Sequence, residues 1–436
     1  MTVTNPCPGK NAQWMTLNRD FFDRVRLGLR WRLNLVKEKT SGIWRGISDL
    51  ADFFVRFKIR VLTHLLKTNR GRLLIFDDTF HWIGSNFRIV EINAYLAHFP
   101  RSLVYTTTPD FFRKRRQYAQ LYGWKMANRT FRYDPKAEYS GSFAFIIFLH
   151  NAHAFLPVLE RCRVPFLMEM YPGGFFCLNN ERSDAWLRLV CSSPMFRGVI
   201  VTTRISKQYL MEKKFCDEDK IHYMYGGVAG LPELRRQRAQ YPEDKRTFDI
   251  CFIAYQQTPR GEDKGYDVFI AAAKILAKLS PIFRFHVVGT FSERVIDVSE
   301  IWDRITFYGP QTRAFFETFH ADMDAIVSPC RPFVLEPGAF DGIPTGCTGE
   351  AGACGVAMFT TDVLRLTEGI FHDGKDIVLI QPDPNDVVEK MMFYFQNPDL
   401  LRRIALGGRE TIRRVLANEL QVAFRVEMIE KLMKQG

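Results

Sequence analysis

The residues of this chain best suited to chemistry lie between Phe340 and Gly355, read as Phe-Asp-Gly-Ile-Pro-Thr-Gly-Cys-Thr-Gly-Glu-Ala-Gly-Ala-Cys-Gly. Gly342, Gly346 and Gly349 allow the backbone to approach a ligand closely, and the small residues that follow open a short helix. Free N–H groups at such an opening, reinforced by the helix dipole, attract phosphate. The N–H of Cys347 belongs to this set, and Thr345 and Thr348 add hydroxyl donors. The acids that bracket the loop cannot favour phosphate. Asp341 and Glu350 suit the hydroxyls of a sugar or a ribose, which donate to carboxylates. A second charged segment, Arg260-Gly261-Glu262-Asp263-Lys264-Gly265, carries two cations. A departing diphosphate gains negative charge as its bond to a sugar breaks. Cations placed beside it stabilise the transition state more than the ground state. The bland alternatives are a glycine-rich turn on a capped helix and a solvated charged loop.

The first segment resembles the donor site of the family 4 retaining glycosyltransferases, enzymes of the GT-B fold. Their hallmark is an acid, a Gly-Phe-Pro-like turn, and Glu-Ala before a small-residue helix ending in Gly. Here these are Asp341, Gly342-Ile343-Pro344, Glu350-Ala351 and Gly355. The family places two Glu eight apart; here the first acid is Asp and the separation is nine. The segment around Lys264 is similar to the family's Gly-Arg-Leu…Lys-Gly motif, with Arg260 the nearest match to its Arg. His286-Val287-Val288-Gly289, Ile305 to Gly309 and Asp322 to Ser328 follow in the family's order.

The resemblance implies that Glu350 binds the ribose, that Asp341 faces the transferred sugar, and that backbone N–H groups of Thr345 to Thr348 hold the diphosphate. Lys264 and Arg260 would neutralise the leaving group. It further implies front-face transfer with retention, no metal and no cofactor, the donor being a UDP- or GDP-sugar used as co-substrate. Gly84 and Ser85 match the family's small-residue loop across the cleft. The family's usual His is missing; Tyr171, in Tyr171-Pro172-Gly173-Gly174, stands in its place. His150 and His153 follow another strand end and are candidates to face the acceptor, or plain structural histidines. A sugar-nucleotide epimerase and a non-catalytic carbohydrate- or partner-binding protein are the other readings.

The elements that must position these residues alternate. Apolar runs near Leu73–Phe76, Ser102–Thr106, Ala144–Leu149, Pro165–Met170 and Gly198–Thr202 read as buried strands, mostly separated by helical patterns. The alternation restarts with strands at Phe248–Ala254, Arg284–Gly289, Ile305–Tyr308, Met323–Ser328, Val356–Thr360 and Asp376–Ile380. Strand–helix alternation argues parallel, doubly wound sheets. The expected α/β architecture is a GT-B fold: two Rossmann-like domains with parallel sheets facing a cleft. A basic helical segment (1–71) precedes an N-terminal domain (72–230). A C-terminal, nucleotide-sugar-binding domain (231–417) follows. The family implies that the last helix (418–436) crosses back onto the first domain.

Charge is uneven. The first 72 residues hold 15 Lys or Arg against five Asp or Glu, a net +10 out of +12 for all 436 residues. So local an excess suggests an acidic partner: an anionic membrane surface, nucleic acid or a phosphorylated substrate. A seat on a membrane would suit a lipid-linked acceptor, the acceptor being expected to be a glycan or lipid-linked, and no recognition motif for nucleic acid accompanies the excess. The nine cysteines lack CxxC or zinc-type spacing, and no apolar run reaches bilayer length. The expectation is a cytoplasmic protein, at most peripheral at the inner face of the membrane.

Overall fold

The computed structural model describes residues 72–82, 86–228 and 245–435. The basic segment 1–71, the loop residues Gly84 and Ser85, and residues 229–244 between the two halves lie outside them. The first half runs β1 (Leu73–Asp77), α1 (Asn86–His98), β2 (Leu103–Thr106), α2 (Phe111–Tyr122), α3 (Trp124–Ala127) and β3 (Thr130–Arg132). It continues β4 (Phe143–Ile147), α4 (Leu149–Arg161), β5 (Phe166–Met170), α5 (Glu181–Cys191), β6 (Phe196–Val201), α6 (Arg204–Glu212) and β7 (Ile221–Tyr223). The second half runs β8 (Phe248–Ala254), α7 (Tyr266–Leu279), β9 (Phe283–Gly289), β10 (Ile305–Gly309), α8 (Arg313–Phe319) and β11 (Ala325–Ser328). It ends α9 (Gly346–Ala353), β12 (Ala357–Thr360), β13 (Val378–Leu379), α10 (Pro384–Gln396), α11 (Pro398–Leu416) and α12 (Asn418–Gln435).

Two parallel sheets result, ordered β3-β2-β1-β4-β5-β6-β7 and β10-β9-β8-β11-β12-β13. Their central strands are apolar on both faces because helices cover both faces. One cluster around Phe76, Phe155 and Met168 and another around Ile75, Tyr95 and Phe145 fill the two sides of the first sheet. Phe252, Phe269 and Phe285 on one side and Ile326, Met358 and Ile412 on the other do the same for the second.

Two three-residue edge strands, β3 and β7, leave no signal in the sequence, being too short to show a period. The expected strand Asp376–Ile380 shrinks to Val378–Leu379. Asp376 is held elsewhere, accepting from the His372 N–H and the Thr411 hydroxyl. The chain leaves the second sheet at Leu416, which packs in that sheet's core. After Ala417, α12 buries Val426, Met428, Ile429 and Leu432 against Ile89, Ile92 and Tyr95 of the first.

The α8 end holds a buried titratable group. His320 is 1% exposed and stacks on Phe316 at 5.4 Å. Burial pushes its pKa down to about 4. The unfolded chain takes up this proton near pH 6.5, so the neutral ring's contribution is complete above that pH. It is lost as pH falls toward 4, a loss on the order of 3 kcal/mol. Denaturant midpoints at about pH 7.5 and pH 5 check this. The wild type should lose clearly more stability on acidification than His320→Phe; equal losses would refute it.

Candidate active site

Each sheet reverses its strand order once, between β1 and β4 and between β8 and β11. Open α/β sheets bind ligands beyond the strand ends at such points. A cavity of about 490 Å³ opens there, between the two halves. Its second-half wall is built by Ile253, Ala254 and Tyr255 at the end of β8, Val288 and Gly289 at the end of β9, Pro310, Gln311 and Arg313 after β10, and the glycine-rich loop. Its first-half wall holds Trp82, Phe87, Phe148, Tyr171, Pro172, Thr202 and Thr203.

The loop is shaped by its caps. Thr345 is the N-cap of α9, its Oγ accepting from the Thr348 N–H, and its carbonyl accepts from Gly349 N–H at 2.8 Å. The N–H groups of Gly346 and Cys347, both residues of the cavity wall, are left without a partner inside the helix. Tyr225 donates its hydroxyl to the Ile343 carbonyl at 2.6 Å, fastening the turn from the other half. Asp341, Gly342, Thr345, Gly346, Cys347 and Glu350 all line the cavity. Thr348 does not. It is 1% exposed, and its hydroxyl and N–H are both turned to Thr345, so its expected contact with a ligand is replaced by a capping role. Burial and the neighbouring Glu350 push the Cys347 thiol up to about 12, which keeps it protonated and a poor nucleophile.

Lys264 reaches Asp341, Nζ to Oδ2, at 2.7 Å. Burial alone would lower the lysine's pKa, but the Asp341 carboxylate raises it above the ordinary value. The ammonium therefore stays charged beside Asp341, a residue of the cavity wall, while Lys264 itself is not part of that wall. Arg260 is exposed and is not part of the wall. The cation that does line the cavity, and to which no motif in the sequence pointed, is Arg313 at the start of α8. Two Asp-x-Asp spacings, Asp217–Asp219 and Asp322–Asp324, lie away from it. Asp324, at the opposite end of β11, holds Lys245 at 2.6 Å and accepts from Asp249 N–H. Among the described residues no group of three His, Cys, Asp or Glu is placed to hold a metal ion. None of their helices is long and apolar enough to cross a membrane.

On the opposite wall Tyr171 shows its ring to the cavity and its hydroxyl to the interior. The hydroxyl donates to Glu91 at 3.0 Å and accepts from Arg425 at 3.4 Å. Burial raises its pKa well above the usual value. It therefore does not present a catalytic proton acceptor where the resemblance placed a His. Arg425, from α12, is fully buried, as are Glu91 and Glu169. It grips Glu169 Oε1 with Nε at 2.8 Å and with a terminal nitrogen at 2.6 Å. Burial, together with the Glu169 charge beside it, pushes Glu91 far above the carboxylate range. A proton on Glu91 satisfies the Glu169 Oε2, which has no other partner. Gln421 and Arg425 also donate to the carbonyls of Tyr225 and Gly226, binding α12 to the crossing segment that lines the cavity.

His150 and His153 are outside the cavity wall. His150 lies 3.2 Å from both the Asp78 carboxylate and the Gly174 carbonyl, one at each ring nitrogen. Burial opposes ionisation of Asp78, but the His150 hydrogen bond and the Arg88 charge hold it below the usual range.

Gly346 offers a sharp test of the wall. A Cβ there would meet no protein atom within 4 Å, and its φ is not in the left-handed region. Gly346→Val should therefore melt within about 2 °C of wild type. If the loop holds phosphate, the same change should weaken nucleotide binding at least about tenfold by calorimetry. Undiminished binding would remove the loop from the site.

The family described as Glycosyl transferases group 1 matches residues 247–397. No curated protein matches the sequence. Among solved structures, Anabaena HepE in complex with UDP and glucose superposes with a TM-score of 0.61 at 14% identity, covering 83% of this chain and all of that one. Sucrose-phosphate synthase from Thermosynechococcus elongatus gives 0.61 at 13% identity, covering 84% and 100%. A putative UDP-N-acetylglucosamine 2-epimerase from Listeria monocytogenes gives 0.56 at 11%, covering 84% and 98%. The chain has the GT-B fold.

Proposed function

We propose that this protein is a glycosyltransferase that moves a sugar from a nucleoside diphosphate sugar, UDP or GDP the nucleotide, to an acceptor hydroxyl with retention of configuration. The observation that carries the reading is the glycine-rich loop. It opens a helix at the switch point of the second sheet, with Asp341 and Glu350 in the wall and Lys264 at 2.7 Å from Asp341. The group 1 glycosyltransferase match over the second half supports it, as do relatives of the fold that bind UDP. The family 4 assignment rests on the motif around Glu350.

In this reading the diphosphate sits on the first N–H groups of α9 and the ribose on Glu350. Lys264 exchanges its Asp341 partner for the leaving phosphate as charge develops. Asp341 and Glu350 are the only carboxylates of the described wall, and Asp341 is ion-paired. The acceptor proton is therefore assigned to the departing diphosphate, on the sugar's front face. The acceptor is a glycan or a lipid-linked sugar, and a peripheral seat on an anionic membrane through residues 1–71 belongs to the same proposal.

Melting curves with UDP, GDP, ADP and CMP, with and without EDTA, test the donor. One nucleotide should raise the melting temperature, unchanged by EDTA, and Glu350→Ala should abolish the rise. No shift with any nucleotide would sink the donor assignment and leave a binding-only descendant of the fold. The likeness to the epimerase motivates one control. Conversion of a nucleotide sugar in the absence of any acceptor, followed by NMR, would replace transfer with epimerisation.

A further inference from the structure

Arg313 is the cation of the cavity wall that the transfer chemistry leaves unused. It stands at the start of α8, just past β10, the outermost strand in the order β10-β9-β8-β11. The glycine-rich loop and α9 follow β11. Neighbouring strands lie about 4.8 Å apart, so Arg313 is displaced along the sheet by roughly 14 Å from the helix opening that suits the diphosphate. Between the two the wall passes the ends of β8 and β9, where Ile253, Ala254, Val288 and Gly289 offer apolar side chains and bare backbone. The other end of the loop points to the first half: a Cβ on Gly342, next to Asp341, would lie 3.8 Å from Pro172. With the transferred sugar at Asp341 and the ribose on Glu350, the part of the donor that extends toward Arg313 is the nucleobase.

Arg313 is half-buried, and among the described residues no carboxylate pairs with it. Burial holds the Tyr122 hydroxyl of the first half above its usual pKa against the Arg313 charge, so that phenol stays neutral and is no counter-ion. Gln311, the other polar side chain of the wall after β10, has its amide N–H on the Tyr308 carbonyl at 2.6 Å. A guanidinium carries five N–H donors in a fixed fork and no acceptor. Such a fork reads two acceptors side by side. Guanine presents them as O6 and N7, whereas adenine and cytosine place an amino donor on the same edge. In uracil an N–H separates the two carbonyls, and the fork reaches only one.

We propose that Arg313 reads the O6 and N7 edge of guanine, which makes the donor a guanosine diphosphate sugar. The proposal rests on the transferase reading and decides between the two nucleotides which that reading leaves open.

Calorimetric titration of the full chain with GDP, UDP, IDP and 7-deaza-GDP tests it. IDP keeps O6 and N7 but lacks the 2-amino group, and 7-deaza-GDP lacks N7. The wild type should bind GDP at least about tenfold more tightly than UDP, the size of one bidentate contact. IDP should follow GDP, and 7-deaza-GDP should bind clearly more weakly. Arg313→Met should bring GDP down to the level of UDP and make 7-deaza-GDP indistinguishable from GDP. Arg313→Lys, which keeps the charge and loses the fork, should behave as Arg313→Met does. Melting curves without ligand check that both variants fold. UDP bound as tightly as GDP by the wild type, an unchanged preference in Arg313→Met, or full recovery in Arg313→Lys would each overturn the assignment and leave the transferase reading in place. Equal weakening of GDP and UDP in Arg313→Met would put the arginine on phosphate and overturn it as well. Binding of none of the four nucleotides would remove the donor reading, and the base assignment with it.

Discussion

Replacing Arg425 with leucine should destabilise the protein by about 3–5 kcal/mol, far more than a substitution in the cavity wall such as Gly346→Val. The guanidinium is fully buried and is the only cation within 4 Å of Glu91 and Glu169 among the described residues. Removing it leaves two facing carboxyl groups in the interior, and ionising either becomes costly. The two acids are not equivalent. Glu91 already holds a proton, being buried and next to the Glu169 carboxylate. Glu91→Gln, which keeps a donor toward Glu169, should therefore cost about 1 kcal/mol or less. Glu169→Gln leaves Arg425 an amide oxygen at its closest contact, 2.6 Å, but removes the negative charge that pairs it, and should cost nearly as much as losing the arginine. Urea unfolding of the three variants measures this ordering. A Glu91→Gln change as damaging as Glu169→Gln would show that the proton has been placed on the wrong residue. The consequence reaches the cavity, because Arg425 also bonds the Tyr171 hydroxyl and the Gly226 carbonyl.

Lys264→Ala should lower the rate of nucleotide-sugar cleavage by about 10²- to 10³-fold, the size of effect seen when one preorganised charge is taken from a developing anion. Lys264 is held at 2.7 Å from Asp341, and Asp341 lines the cavity. The loss should appear mainly in kcat, because the phosphate carries its full extra charge only as the bond breaks. Lys264→Arg should recover part of the rate, while a wild-type rate in Lys264→Ala would remove the residue from the mechanism. Release of UDP or GDP from its sugar, followed by a coupled assay, gives the readout with or without an acceptor.

The sequence on its own determined what is local. Strands such as Phe248–Ala254 appear with the expected bounds, because a buried parallel strand writes its environment into consecutive residues. The glycine-rich loop was legible for the same reason: capping and close backbone approach are one-segment properties. Strands β3 and β7, of three residues each, were too short to leave such a trace.

Tertiary structure alone decided the rest. Thr348 reads as a ligand donor until the fold commits its hydroxyl to Thr345. Tyr171 reads as a substitute for a missing His until its hydroxyl is seen turned into the interior. Glu169, alone among apolar neighbours in β5, is a misfit in its strand. Its reason is Arg425, 256 residues away, and no local pattern links residues at that separation. A buried charge is stable only where its partner is delivered, and only the path of the folded chain determines which partner arrives.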